Sequence, residues 1–298
     1  MSPRLDLELL RGAIDLHVHS GPSLFHRHDT DVIVRNARDL GLRALVLKHH
    51  HIVTTDRARA AMDKVPGIDV FGSITLNFAN GGINPFAVDY ALRLGARKVW
   101  MPTIDTAQQE RYYGALGGYG SQQSFAVPSF YRNARGICIL GEDGRVIPSV
   151  REVLALIAEH DAILGVGHLT PEEIAALVRE ARAAGVHKVV VDHPHLPFLN
   201  LSLAQQRELV EAGAVMNYAF SEITPKWFCI PVPQLVEHIH ALGPEHIVLS
   251  TDLGQLHNPL PAEGLRIYVQ LLLEAGVPAG DIRRMLHDNP ARLLYGEA

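Results

Sequence analysis

Cysteine is nearly absent from this chain of 298 residues: Cys138 and Cys229 are the only two, far apart and outside any CxxC spacing. That excludes a disulfide framework and a cysteine-based zinc site, and it fits a reducing compartment, so a cytoplasmic location is expected. No run of about 18 apolar residues occurs, and Met1-Ser2-Pro3-Arg4-Leu5-Asp6 has no basic stretch leading into an apolar one. Neither membrane insertion nor export is expected. Positive charge is scarce too, with 27 Lys and Arg against 32 Asp and Glu for a formal charge of −5, and nowhere clustered. A nucleic-acid or anionic-membrane partner therefore has no electrostatic footprint, and a small-molecule substrate is the expected partner. Glycine-rich phosphate loops of the GxGxxG or Walker type are also missing, which removes the usual nucleotide-binding turn of an open α/β sheet.

What the chain has is histidine, 17 in all, and a repeating pattern of short apolar runs alternating with helical segments. Eight runs read as buried strands: 14–18, 44–47, 70–76, 98–101, 163–166, 188–191, 214–217 and 247–250. Helices are expected between them, among others at 31–40, 85–94, 171–184, 203–212 and 233–242, with Gly41, Gly95, Gly185, Gly213 and Gly243 as stop signals. Thr170-Pro171-Glu172-Glu173 is a helix start, with Thr170 as cap and Glu173 returning the bond. Eight such units predict an α/β fold of the (β/α)8 barrel type, as a single domain over 1–298. One interval departs from the repeat. Residues 105–148 are rich in Gly, Gln, Ser and Tyr, and an insertion of this length after the fourth strand suggests a lid, with 136–147 reading as a β-hairpin. Tyr112, Tyr113, Tyr119, Tyr131 and Arg132 would give that lid an aromatic and cationic face, the alternative being a solvated surface loop.

The polar residues fall at the C-terminal ends of the strands, where barrel enzymes carry their chemistry. Strand alternation puts Asp15, His17 and His19 on one face of the first strand, toward the interior, and Ile14, Leu16 and Val18 on the other. The second strand ends in Lys48-His49-His50-His51, the fifth in His168, the sixth in Asp192-His193-Pro194-His195, and the eighth in Thr251-Asp252. Of the three consecutive histidines, alternation favours His50 as the inward one. Several neutral imidazoles and a carboxylate at one mouth suit one or two divalent transition metals, zinc first, with manganese, iron or nickel as alternatives. His257 lies in the loop after the eighth strand, within reach of substrate, whereas His160, His187, His238, His240 and His246 read as surface or packing residues.

Ile14-Asp15-Leu16-His17-Val18-His19, the later His168 and His193, Thr251-Asp252 and the closing Asp288-Asn289-Pro290-Ala291-Arg292-Leu293-Leu294 resemble the amidohydrolase superfamily over nearly the whole chain. More narrowly, the residues around Lys48, His193 and Asp252 resemble a prokaryotic amidohydrolase-like subgroup without a known substrate. The resemblance implies metal ligands at His17, His19, His168, His193 and Asp252. It also implies a bridging carboxylate on the fourth strand, but Lys98-Val99-Trp100-Met101-Pro102-Thr103 offers none at its end. Lys48 is left with two readings: a carboxylated lysine bridging two metals, or an ammonium that binds a substrate carboxylate. The implied activity is metal-dependent hydrolysis of an amide, cyclic amide or lactone, with Asp252 as proton carrier and His50, His195, Asn217 or Lys48 stabilising the oxyanion. A mononuclear lyase or decarboxylase is the alternative. A phosphoesterase comes third, since few cations mark the strand ends, and a metal-binding scaffold without turnover is the non-enzymatic reading. Association into a homo-oligomer is open.

Overall fold

The eight apolar runs form one parallel sheet in sequential order, β1 to β8: Ile14–His19, Ala44–Lys48, Asp69–Thr75, Ala96–Trp100, Ile163–Gly165, Val189–Asp192, Ala214–Ala219 and Ile247–Ser250. The computed structural model describes residues 4–119, 131 and 133–296. The order of neighbours never breaks, because each strand is followed by a crossover that returns it to the same edge. The sheet closes on itself through the segment after β8. His19 N–H donates to Leu253 O at 2.8 Å, Asp252 N–H donates to His17 O at 2.8 Å, and Val18 and Leu253 form a parallel bridge. The fold is a (β/α)8 barrel.

The helices pack outside it: α1 (Leu5–Leu10), α2 (Thr30–Asp39), α3 (Thr55–Lys64), α4 (Pro85–Arg93), α5 (Ala107–Tyr113), α6 (Pro148–Glu159), α7 (Pro171–Ala183), α8 (Leu203–Glu211), α9 (Val232–Leu242), α10 (Pro261–Glu274), α11 (Ala279–Arg283) and α12 (Asn289–Tyr295). The start of α7 carries the expected capping box, with Thr170 Oγ1 accepting from Glu173 N–H and Glu173 Oε2 from Thr170 N–H. Among the described residues no helix is long and apolar enough to cross a membrane.

Two apolar layers result. The larger lies between sheet and helices; the smaller fills the barrel with Ile14, Leu16, Val46, Trp100, Val190 and Val248, and Ala291, Leu293 and Leu294 of α12 plug its floor. Leu16 belongs to that inner layer, contrary to simple alternation along β1. The pairing with β2 slips between Asp15 and Val18, so that Leu16 and His17 together oppose Val46. This bulge keeps Ile14, Leu16, His17 and His19 inside, while Val18 joins the outer layer and Asp15 turns to Thr251, accepting from its hydroxyl at 2.6 Å and from its N–H at 3.2 Å.

The insertion after β4 is described in part. It contains α5, and the expected hairpin is reduced to a single antiparallel bridge, Leu140 to Val146, around the Asp143-Gly144 turn. Arg132 and most of the central stretch lie outside the described residues. Tyr131 donates its hydroxyl to Asp105 at 3.3 Å, and Phe78 N–H donates to the same carboxylate oxygen at 2.8 Å. The Asp105 side chain is buried, its other oxygen has no partner among the described residues, and burial raises its pKa to about 6. A raised carboxyl pKa means that the folded state keeps a proton which the unfolded chain has already released. The stabilisation is complete below about pH 4 and is lost as pH rises through 6. Across that window the stability of the wild-type protein should fall relative to that of Asp105→Asn by up to about 3 kcal/mol, as measured by urea unfolding of both at successive pH values.

Candidate metal centre and mouth

The β1 bulge places both imidazoles of the HxH pair in the mouth of the barrel. His17 Nε2 lies 3.1 Å and His19 Nε2 3.0 Å from the same oxygen, Asp252 Oδ1. One ligand atom from each of the three residues lies within 4.8 Å of the other two, and no other group of three or more such residues converges in this way among the described residues. Asp252 and His193 follow β8 and β6, and both hold left-handed backbones, with φ of 51° and 39°. For non-glycine residues that conformation costs on the order of 1–3 kcal/mol and persists only where the surroundings over-determine it. Asp252 is held by its N–H on His17 O and by Ser221 Oγ donating to Oδ2 at 3.0 Å. Gly254, two residues on, passes so close to His19 O that any side chain there would collide with it.

Around this triad stand the other expected residues. His50 lies with its ring 4.9 Å from His19. Its Nδ1 meets Thr103 Oγ1 at 3.1 Å, and that hydroxyl already accepts from Asn77 Nδ2 at 2.9 Å. If the Thr103 hydroxyl donates to His50 Nδ1, the ring hydrogen sits on His50 Nε2, a buried atom without a partner among the described residues. His193 continues the ring of imidazoles 5.6 Å from His17, His168 follows 5.0 Å from His193, and Gln109 Oε1 fixes His168 Nδ1 at 3.1 Å. Lys48 points into the same space with its Nζ 3.0 Å from His17 Nε2, and burial lowers its pKa to about 8 against the pull of Asp252 and Asp192. His49 and His51 turn aside: His49 reaches Pro22 O, and His51 N–H donates back to His49 Nδ1.

His195 is held elsewhere. Its Nδ1 meets Glu222 Oε1 at 3.0 Å and its Nε2 meets His238 Nδ1 at 3.1 Å, with its ring against Tyr218, a residue of the outer layer between sheet and helices. The structure therefore does not bring it to the triad, because two residues beyond His193 the chain has already turned outward past Pro194. Asn217 is also engaged, donating from Nδ2 to Asp192 Oδ1 at 2.8 Å rather than facing open space.

That carboxylate is the part sequence reasoning left out. Asp192 is fully buried one layer below the imidazoles, 2.7 Å from Lys98 Nζ, 3.1 Å from Trp100 Nε1 and 3.5 Å from His17 Nδ1. Burial would raise its pKa, but Lys98 and then His17 outweigh burial and hold it well below the usual carboxylate range. Gly165 on β5 supplies the room, since a Cβ there would strike Trp100 and Asp192. The signal was present: Lys98 and Trp100 share the inward parity of β4, and Asp192 shares that of Val190 on β6.

The donor set fits a divalent metal. Burial keeps His19, His50, His168 and His193 well below their usual pKa, hence neutral with a lone pair to give, and Asp252 is ionised because His17 and His19 outweigh its burial. A carboxylate behind a ligating histidine, as Asp192 stands behind His17, is the usual support of such a site. His193 Nδ1 is another buried nitrogen without a partner among the described residues.

Residues 12–217 match a family of unknown function, DUF6282. The chain belongs to this family. No curated protein matches the chain. Solved structures do, along nearly their full length. An amidohydrolase from Pseudomonas aeruginosa is 12% identical with a TM-score of 0.63, covering 99% of both chains. The organophosphorus hydrolase from Deinococcus radiodurans is 11% identical at 0.62, covering 97% of this chain and 93% of its own. The 2,6-dihydroxybenzoate decarboxylase from Rhizobium is 13% identical at 0.52, covering 97% and 100%. At such identities the likeness establishes the fold, which this DUF6282 member shares with amidohydrolase-superfamily structures, hydrolases and a decarboxylase among them.

Proposed function

We propose that this DUF6282 protein is a metal-dependent hydrolase of a small amide, cyclic amide or lactone, its metal held by His17, His19 and Asp252. The observation that carries the reading is the convergence of two imidazole nitrogens on one Asp252 oxygen at the mouth of the barrel. A divalent metal held there, zinc by donor type, would lower the pKa of a bound water toward neutrality and polarise the scissile carbonyl. Asp252, ionised and oriented by Ser221, takes the proton of the attacking water and returns it to the leaving nitrogen or oxygen. His50, in the tautomer with its hydrogen on the unpartnered Nε2, donates to the oxygen that becomes negative as the carbonyl is attacked. His195, tied to Glu222 and His238, has no catalytic part in this reading.

His168 and His193 are proposed ligands of a second ion, with Lys48 as the bridge if carbon dioxide adds to its amine to give a carbamate. As an ammonium, Lys48 would instead bind a substrate carboxylate. The presence of one converging triad favours a single ion, and with a single ion loss of a carboxylate from substrate is the second reading. The test is a panel of small amides, lactones and aryl carboxylates, following bond cleavage against carbon dioxide release. Hydrolysis that falls by orders of magnitude in Asp252→Asn supports the proposal, carbon dioxide release without hydrolysis replaces it by the decarboxylase, and turnover that survives complete chelation overturns both.

A further inference from the structure

Beside the triad the mouth opens into a cavity of about 140 Å³, lined by Phe25, Arg27, Tyr119, Lys226, Trp227 and His257, with His26 at its edge. None of the described residues lining it is acidic. Phe25 and Tyr119 form the wall it shares with the histidine cluster, their rings 5.2 Å and 6.1 Å from His50 and 5.7 Å from each other, and Tyr119 also meets Trp227 at 5.7 Å. Arg27 is half-buried, with its guanidinium 5.4 Å over the Phe25 ring and no hydrogen bond or ion pair among the described residues. Its backbone is anchored to the loop after β8. Arg27 bridges to Gln255, whose side chain donates to Asp252 O at 3.0 Å, and His28 N–H donates to Gly254 O at 2.8 Å. Lys226 and His257 are exposed at the rim.

A half-buried guanidinium that feels Asp252 only at a distance and has no hydrogen-bonded counter-ion among the described residues is poorly compensated, and its planar fork matches the two oxygens of a carboxylate. The aromatic walls suit a flat apolar body, and the volume is about that of a cavity that accepts one benzene-sized ring. Building on the enzymatic reading above, we propose that this cavity is the substrate's carboxylate subsite, in which Arg27 grips the carboxylate of a planar, ring-sized acid whose reacting carbonyl faces the triad. Lys226 draws the anion in from solvent, and Phe25 and Tyr119 fix the plane of its ring. A neutral amide or lactone without the acid group would lack the handle that aligns it.

Binding can be read apart from turnover, because Trp227 lies in this cavity while Trp100, the only other tryptophan, lies inside the barrel. The experiment titrates chelated protein at neutral pH with benzoate, benzamide or phenyl phosphate, following tryptophan emission and calorimetry; chelation prevents the metal from capturing the carboxylate. Benzoate should bind roughly tenfold or more tighter than benzamide, as expected for a charge-assisted pair. Arg27→Gln should reduce that preference to near parity, and Arg27→Lys should keep only part of it. Melting curves of both variants check the fold, and if Arg27→Gln does not fold, the wild-type preference and its reduction in Arg27→Lys decide. Equal binding of benzamide, an unreduced preference in the Arg27 variants, or tighter binding of phenyl phosphate than of benzoate would each overturn the subsite. Metal content measured on the same batches before chelation separates the two claims: selectivity without metal binding removes the enzymatic reading and keeps the acid-binding cavity, and metal binding without selectivity does the reverse.

Discussion

Replacing His17 and His19 together by alanine should leave a folded barrel that has lost its metal. Both side chains point into the mouth from a strand whose packing rests on Ile14, Leu16 and Val18, so the apolar layers stay filled. Loss of a group that merely supports a ligand already costs 10–100-fold in metal affinity, and loss of two ligands should exceed about 100-fold. Elemental analysis of protein purified without chelators should give one or two metals per chain for wild type and close to none for the variant. Melting provides the second readout. A metal that binds only the folded state raises stability with its concentration, so chelation should lower the wild-type melting temperature and leave the variant unmoved. Unchanged metal content in the double variant would remove the triad as the site.

The second large effect lies one layer down. Lys98→Met should destabilise the protein by about 3–5 kcal/mol, because it strands the Asp192 carboxylate in the barrel without its cation. Much of the loss should return in the double variant Lys98→Met with Asp192→Asn, where no charge remains to be compensated, as read by urea denaturation. The double variant should still bind metal 10–100-fold more weakly than wild type, since His17 Nδ1 no longer faces a carboxylate. Full destabilisation in the double variant would mean that the pair acts through shape rather than charge. Undiminished metal affinity would separate Asp192 from the site.

The barrel was legible because each strand is a compact apolar run and several helix starts carry their own caps, at Asn84, Thr106, Thr170 and Ser202, so local sequence and global fold agree. The strand ends were legible for the same reason: placing His17, His19, His50 and Asp252 at one mouth needs only the direction of the strands. What escaped was whatever depends on a departure from the ideal strand or on partners distant in sequence. The β1 bulge reverses the side of Asp15 relative to His17, and no residue type in Ile14–His19 announces it. His195 could not be separated from His193 by spacing, since a left-handed turn at His193 followed by Pro194 sends the next side chains outward. The bond between Lys98 and Asp192 joins residues 94 positions apart, and Arg27, in a stretch without regular structure, reaches the mouth only through its bridge to Gln255.

The closure of the barrel also bears on how the protein comes into being on the ribosome. Asp15 is held by Thr251, 236 positions later, Asp252 bonds to His17, and α12 fills the floor beneath Ile14 and Leu16. The first strand emerges before the other seven yet cannot complete its pairing or bury its inner face until β8 and α12 have been made. Contacts of such long sequence separation form slowly, since loop closure must precede any gain from them. During that interval the HxH strand is an open edge next to unpaired polar groups, the kind of surface on which aggregation starts. The same residues that make the site are thus among the last to be secured, and the site comes together only at the final closure of the barrel.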